Sequence, residues 1–397
     1  MAKHSAVKMK DGFYYVGVQD PGLRTFDVVM HTEYGTSYNS YLVRGEKVAL
    51  VEAVKDGFQG EHLEKIRSVV QPEKIDYIVL NHTEPDHSGS VADLLEHCPY
   101  AKVVCSKVAA GLLEEICNRE IDFIIAKDGD SIDLGGKTLQ FFSVPFLHWP
   151  DTMFTYVPED QMLLSGDVFG CHFSSRQLFD DEVDSPFEDA QQYYFDVIMS
   201  PFKSYVLDAV EKVWQLKVDM IAPAHGPVLR SGVRDIVDLY EGWAAVVREI
   251  NDPKRAFVGY VSCYGYTKEL AEEIAKGCRA ENLEVDLVDL SETDLYEALA
   301  LLMQADVVAI GSPTVNRDVL PPVWDVLLGL SPYTCKGKKA LSFGSFGWSG
   351  EAVRYVERRM KDCAMQTMPA LSVKLKPREQ DKDAGFEAGK ALGRAVE

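Results

Sequence analysis

The chain has 397 residues, enough for two or three domains, and its 46% apolar and 26% charged content excludes disorder over most of that length. With 41 Lys and Arg against 62 Asp and Glu the net charge is −21, so phosphate backbones and anionic bilayers repel it, and neither a nucleic acid nor a membrane is an expected partner. No apolar run reaches the roughly 18 residues of a spanning helix, and Met1 to Asp11 lacks the apolar centre of a secretory signal, so a cytoplasmic location is expected.

In chain order, the first 250 residues read as short strands. Gly12 to Asp20, Ser37 to Arg44 and Lys47 to Val54 alternate or run apolar around turns such as Arg44-Gly45-Glu46. Lys74 to Asn81 is a further strand, and Ser90 is placed to cap a helix from Val91 to His97. Strands are predicted at Lys102 to Ser106, Lys137 to Val144, Phe154 to Val157 and Gln161 to Ser165. Helical patterns fill 188 to 217, Met220 to Pro223 is a last strand, and Leu239 to Ile250 is a closing helix. Strands with helices packed outside them predict a layered α/β/β/α sandwich.

Asn251-Asp252-Pro253 breaks the pattern and sets a boundary, giving domains at 1–250 and 254–397. Strands are expected at Arg255 to Ser262, Glu284 to Leu290, Ala305 to Gly311, Lys338 to Gly344 and Leu371 to Lys376. Leu270, Ala271, Ile274, Ala275 and Cys278 form one helical face. Regular β-α alternation predicts a doubly wound parallel sheet of flavodoxin-like order 2-1-3-4-5.

The eight cysteines contain no C-x-x-C pair, which excludes a zinc ribbon, a four-cysteine iron site of rubredoxin type and a c-type haem attachment within this chain. Any transition metal must therefore take His, Asp and Glu. The densest run of such residues is Asn81-His82-Thr83-Glu84-Pro85-Asp86-His87-Ser88-Gly89, directly after a strand. Side chains at i, i+2 and i+4 of an extended segment share a face, and Pro85 keeps Glu84 out of the helical region. His82, Glu84 and Asp86 are thus expected to converge, with His87 where the chain turns into the next helix. Alone, the run also reads as a polar loop with a helix cap. Three further residues stand at strand ends: His148 in Leu147-His148-Trp149-Pro150, Asp167 in Ser165-Gly166-Asp167, and His225 in Ala224-His225-Gly226. Each is ordinary by itself; the series H-x-E-x-D-H, H, D, H is not. His172 is a candidate donor behind the site or a proton source, and Tyr194 (with Tyr193 as the other choice) a candidate to direct a hydroxyl into the pocket. His4, His31, His62 and His97 read as surface or packing residues.

This series resembles the metallo-β-lactamase superfamily, whose signature is H-x-H-x-D-H followed by a His, a bridging Asp and a last His. The resemblance covers about residues 10 to 250. It implies two ions bridged by Asp167, with His82, Glu84 and His148 on one and Asp86, His87 and His225 on the other. Glu84 stands where the hydrolases carry a histidine; the extra carboxylate disfavours zinc and suits iron.

In the second domain the first strand ends in Ser262-Cys263-Tyr264-Gly265-Tyr266-Thr267, and a helix starts at once, which makes an anion site. The third strand ends in Ser312-Pro313-Thr314-Val315-Asn316 and the fourth in Ser345-Phe346-Gly347-Trp348-Ser349-Gly350. Ligands of doubly wound sheets bind at these carboxyl ends. The first loop is expected to hold a phosphate and the other two a flat ring, with Trp348 placed to stack. The arrangement resembles the flavodoxin FMN site, whose first loop reads T-x-T-G-x-T; Tyr264 replaces the middle hydroxyl, while Ser262 and Thr267 match.

The two halves together, on N-H-T-E-x-D-H, L-H-W-P-D, S-P-T-x-N and F-G-x-x-G-W, resemble the A-type flavodiiron proteins over essentially the whole chain. The resemblance implies an oxidoreductase with two non-haem irons and FMN that reduces O2 to water, NO to N2O, or both. It implies a separate electron donor, rubredoxin or the reduced deazaflavin F420H2, and a head-to-tail homodimer or a dimer of dimers. Asp27, near which relatives often carry a histidine, leaves substrate preference open. Two rival readings are a zinc hydrolase with a flavodoxin-like appendage, opposed by Glu84 and the flavin loops, and an FMN electron carrier, opposed by the seven aligned ligands.

Overall fold

The computed structural model describes residues 5–27, 30–185, 187–245 and 252–396. The chain divides into two compact units, Met1–Val246 and Val247–Glu397. Asn251 of the expected breaker, the end of the expected closing helix and His4 lie outside the described residues.

The first unit holds two sheets. One runs in the order Val7–Lys10, Phe13–Tyr15, Tyr41–Arg44, Val48–Val51, Tyr77–Val79, Lys102–Cys105, Phe123–Ile125. The other runs Ser131–Asp133, Thr138–Ser143, Met153–Val157, Met162–Gly166, Met220–Pro223. The two-residue period of the strands sorts their side chains into three layers. Tyr41, Val43, Ala49, Val51, Val79 and Val104 meet Phe141, Met153, Val157, Met162, Leu164 and Ala222 between the sheets. The alternate residues Leu42, Leu50, Ile78 and Val103 pack outward on Ile66, Val91, Leu94 and Leu113. These belong to the helices Gln59–Arg67, Val91–His97 and Lys107–Cys117. On the far side Phe154, Tyr156, Leu163 and Ile221 pack on Val206, Val210, Ile236 and Tyr240, from the helices Lys203–Trp214 and Val233–Ala245. Each such buried aliphatic contributes about 1.5–3 kcal/mol, so both faces of both sheets are covered, which is the α/β/β/α sandwich.

Local differences from the sequence reading have physical causes. The expected strands 12–20 and 37–44 are each divided, into Phe13–Tyr15 with Val18–Asp20 and Thr36–Tyr38 with Tyr41–Arg44. The break lies where Asn39 turns its backbone N–H to Ala224 O, 2.8 Å away, instead of to a strand. Val18–Asp20 and Thr36–Tyr38 then pair as a separate ribbon. Ser90 does not cap its helix; its Oγ accepts from Val54 N at 3.1 Å.

The second unit is a parallel sheet in the order Glu284–Asp289, Arg255–Tyr260, Val307–Gly311, Lys339–Phe346, Leu371–Lys374, the expected 2-1-3-4-5. Gln366–Thr367 adds a short pairing to the start of the fourth strand. Leu270, Ala271, Ile274, Ala275 and Cys278 all bury against one sheet face, from the helix Tyr266–Ala280. That helix packs on the closing helix Glu379–Arg394 so closely that a Cβ at Gly389 would strike the Ile274 carbonyl. No helix among the described residues is long and apolar enough to cross a membrane.

Candidate metal centre and flavin loops

Every residue of the expected metal series follows a strand of the sandwich. Asn81 secures the first loop from both sides: its Nδ2 donates to Leu164 O at 3.3 Å and its Oδ1 accepts from Thr155 Oγ1 at 2.7 Å. Thr83 Oγ1 donates to Asp151 Oδ2 at 2.8 Å, tying this loop to the loop that carries His148. His82, Glu84 and Asp86 do not share one extended face. Glu84 is extended, with φ −54° and ψ 140°, but Pro85–Ser88 closes a helical turn that carries Asp86 and His87 elsewhere.

The result is two clusters about one carboxylate. Asp167 Oδ2 lies 3.2 Å from His82 Nε2 and 3.3 Å from His148 Nε2, and Glu84 Oε2 lies 2.8 Å from the same His148 atom. Asp167 Oδ1 lies 3.2 Å from His87 Nε2 and 3.4 Å from His225 Nε2, and Asp86 Oδ2 lies 3.0 Å from the latter. His82, Glu84, His148 and Asp167 form one potential ligand group and Asp86, His87 and His225 another, with all but His148 buried. Both Asp86 oxygens, Asp167 Oδ1 and the Nε2 atoms of His82 and His87 are buried without a hydrogen-bond partner, although neighbours stand 3.0–3.4 Å away. Lone pairs that close without bonding each other fit a pair of cations.

The electrostatics agree. Burial disfavours charge on His148 and His225, yet the carboxylates of Asp167 and Glu84 around the first and Asp86 around the second push both up to about 9. Asp167 is held well below the usual carboxylate range against its burial by His82 and His87. Protons on imidazoles thus balance the carboxylates where cations would. Burial pushes Glu52 up to about 7 in spite of His87 and His82. Asp27 is exposed, and partial burial with Glu84 beside it raises its carboxyl to about 6.

His172 lies behind the second cluster. Its Nδ1 is 3.0 Å from Thr36 Oγ1, its ring is 5.0 Å from that of His225, and burial pushes it down to about 3, so it is neutral. Tyr194 stands edge-on to His172 at 5.0 Å with its hydroxyl raised well above 10 by burial, and therefore protonated. Tyr193 is exposed. His62, expected at the surface or in packing, is fully buried with Nε2 2.9 Å from Ser40 Oγ. No sequence pattern marks the residues that hold His225: Asn39, Ser37 and Tyr41 bond the backbone of 223–226 from over 180 residues away. Nor did it mark Glu52, which lies within 4.8 Å of ligand atoms on His82 and His87.

In the second unit the three loops leave neighbouring strands at one edge of the sheet. Gly265 precedes the helix Tyr266–Ala280 with φ +81°, and Ser262 Oγ accepts from Lys268 N at 3.2 Å, so the first loop wraps a helix N-terminus where amide N–H groups attract phosphate. Cys263 and Tyr264 are exposed. Thr267 is buried and its Oγ1 pairs with Ser345 Oγ at 2.8 Å, joining the first and third loops. Ser312 Oγ donates to Pro313 O, and Thr314 N donates to Ser345 O at 3.0 Å. Val315 and Asn316 begin a tight turn, Asn316 with φ +51°. Phe346 ends its strand, a Cβ on Gly347 would meet open space, Ser349 bonds Glu351, and Gly350 takes φ +80° before the next helix. Trp348 is 86% and Tyr264 84% exposed, two open aromatic faces of the kind a flat ring stacks on.

Comparison with known proteins agrees with both halves. The family model described as ODP family beta lactamase matches residues 36–226, and that described as flavodoxin matches residues 258–389. The chain is 39% identical to flavo-diiron protein FprA2 of Clostridium acetobutylicum over 98% of this chain and 100% of that one. It is 36% identical to the nitric oxide reductase of Moorella thermoacetica over 98% of each. The solved rubredoxin oxygen:oxidoreductase of Desulfovibrio gigas superposes with a TM-score of 0.70 at 29% identity, covering 99% of this chain and 98% of that one. The chain therefore belongs to the flavodiiron proteins, a family of oxidoreductases that join a β-lactamase-like domain with a non-haem diiron site to a flavodoxin domain with FMN.

Proposed function

We propose that this protein reduces O2 or NO, with electrons passed through FMN from a separate donor protein such as rubredoxin. The observation that carries the reading is the division of Asp167: one oxygen faces His82 and His148, the other His87 and His225. On this reading His82, Glu84 and His148 would hold one iron and Asp86, His87 and His225 the other, with Asp167 offering an oxygen to each. Glu84 in place of an imidazole makes the donor set harder, which favours iron over zinc. When bound, the irons supply electrons to the diatomic substrate and FMN replenishes them. The chain's own groups fix the separation of the ions and leave open positions; neutral His172 and protonated Tyr194 offer hydrogen-bond donors on the His225 side. Ser262, Gly265 and the helix N-terminus would hold the FMN phosphate, Ser312 to Asn316 and Ser345 to Gly350 would border its ring, and Trp348 or Tyr264 would stack on it. The names of the relatives, one a nitric oxide reductase and one an oxygen oxidoreductase, support both substrates. We take the domain limits as 1–250 and 254–397, and the assembly as a head-to-tail homodimer.

Metal and flavin analysis of purified protein tests this. Two irons and one FMN per chain are expected. Two zincs would favour a hydrolase, and flavin without metal an electron carrier; either result ends the proposal.

A further inference from the structure

We propose that Glu52 is a positioning residue shared by both metals, accepting the outer N–H of His82 on one side and of His87 on the other. The proposal rests on the ligand assignment above.

Glu52 follows the strand Val48–Val51, is 1% exposed, and takes φ +63°, a left-handed backbone that costs a non-glycine residue on the order of 1 kcal/mol or more. The surroundings hold it there. Its N–H donates to Val79 O at 2.9 Å. Its carbonyl accepts from Ser40 Oγ at 2.7 Å, and that hydroxyl is 2.9 Å from His62 Nε2. Oε1 accepts from Asn81 N, the residue before His82, at 3.1 Å. Oε2 is buried with no hydrogen-bond partner.

His87 Nδ1 lies 3.9 Å from this orphan oxygen. His82 Nδ1 is likewise buried without a partner in the same cluster. Ligand atoms of Glu52, His82 and His87 all fall within 4.8 Å of one another, and the two rings stand 4.0 Å apart. The opposite nitrogens, both Nε2, reach the two different oxygens of Asp167. An imidazole that gives Nε2 to a metal must carry its proton on Nδ1, and a carboxylate oxygen has lone pairs for two donors. One anion thus fixes tautomer and ring orientation on both halves of the centre and makes both histidines better electron donors, an arrangement that favours ferric over ferrous iron.

The test compares wild type with Glu52→Gln, which keeps shape and one acceptor but removes the charge, and with Glu52→Asp, which keeps the charge and shortens the arm. The readouts are iron affinity by chelator competition, the Mössbauer spectrum of 57Fe-loaded protein and the midpoint potential of the diiron centre. Glu52→Gln is expected to weaken binding of both irons by about 10–100-fold, to alter both iron signals and to make the potential more positive, with Glu52→Asp recovering part of the charge effect. Iron affinity within twofold of wild type with unchanged signals and potential would overturn the proposal, as would a change confined to one iron, or a third iron bound at Glu52. Failure of the underlying ligand assignment would look different: wild type would not bind two irons, or His82→Ala would retain both.

Discussion

Asn39→Ala isolates the support of the His225 loop from the ligands themselves. Asn39 is buried, and its Nδ2 donates to Pro223 O and Gly226 O, both at 2.9 Å, on either side of His225. Pro223 O keeps a second donor in Tyr41 Oη at 2.7 Å, whereas Gly226 O loses the Asn39 bond outright. Two neutral hydrogen bonds are worth about 1 kcal/mol each, and a buried carbonyl deprived of its donor adds about 1–2 kcal/mol. The sum is about 3–4 kcal/mol, which for a unit of this size lowers Tm by about 6–16 °C. Metal-free protein measured by calorimetry should show that loss. Iron titration should show weakened binding on the His225 side by about 10–100-fold with the other ion held more nearly as before. An unchanged metal-free Tm together with two tightly held irons would refute the reasoning.

Asp167→Ala is expected to retain at most one iron by metal analysis, since the remaining ligands offer no shared anion to separate two cations; two retained irons would remove the bridge from the account. His62, pushed down to about 3 chiefly by burial, should make metal-free protein acid-sensitive. Between about pH 6.5 and 3 the unfolded chain binds a proton that the native state does not, so stability falls as pH falls, by about 2–3 kcal/mol at pH 4.5. His62→Gln should flatten the urea-derived stability profile by about one proton over that window; parallel profiles would contradict this. Mixing iron-free Asp167→Ala with a flavin-free variant altered at Ser262, Gly265 and Thr267 should restore about a quarter of the activity if electrons cross between the chains of a dimer. Heterodimers that form but stay inactive would show transfer within one chain.

What the sequence disclosed follows from periodicity and strand ends. The five strands of the second unit and the face Leu270 to Cys278 are long regular patterns, and their order follows from β-α alternation. Asp167 and His225 stand out because each follows a buried strand beside glycine, and His148 because it lies between two prolines in the loop after Thr138–Ser143. The spacing alone misplaces Asp86: Pro85 constrains only Glu84, and the turn that begins at Pro85 sends Asp86 to the cluster with His87 and His225, where the resemblance puts it. Glu52 and Asn39 carry no pattern because their partners are brought in by tertiary folding, Asn39 by contacts 184 and 187 residues away. His62 reads as a surface or packing residue, and the packing of Gln59–Arg67 on the sheet decides between the two by burying it. Thr267 looks like a phosphate ligand by motif, yet its hydroxyl is paired with Ser345.

The central claim is that electrons held by FMN leave the protein through the metal centre to O2 or NO. Protein loaded with two irons and one FMN per chain, reduced anaerobically, should be mixed with O2 or with NO in separate stopped-flow experiments while flavin absorbance and gas consumption are followed. The account predicts rapid flavin reoxidation with at least one of the two gases, and loss of that rapid phase in zinc-substituted protein that retains FMN. Equal reoxidation rates with iron and with zinc, or failure of both gases to be consumed, would contradict it.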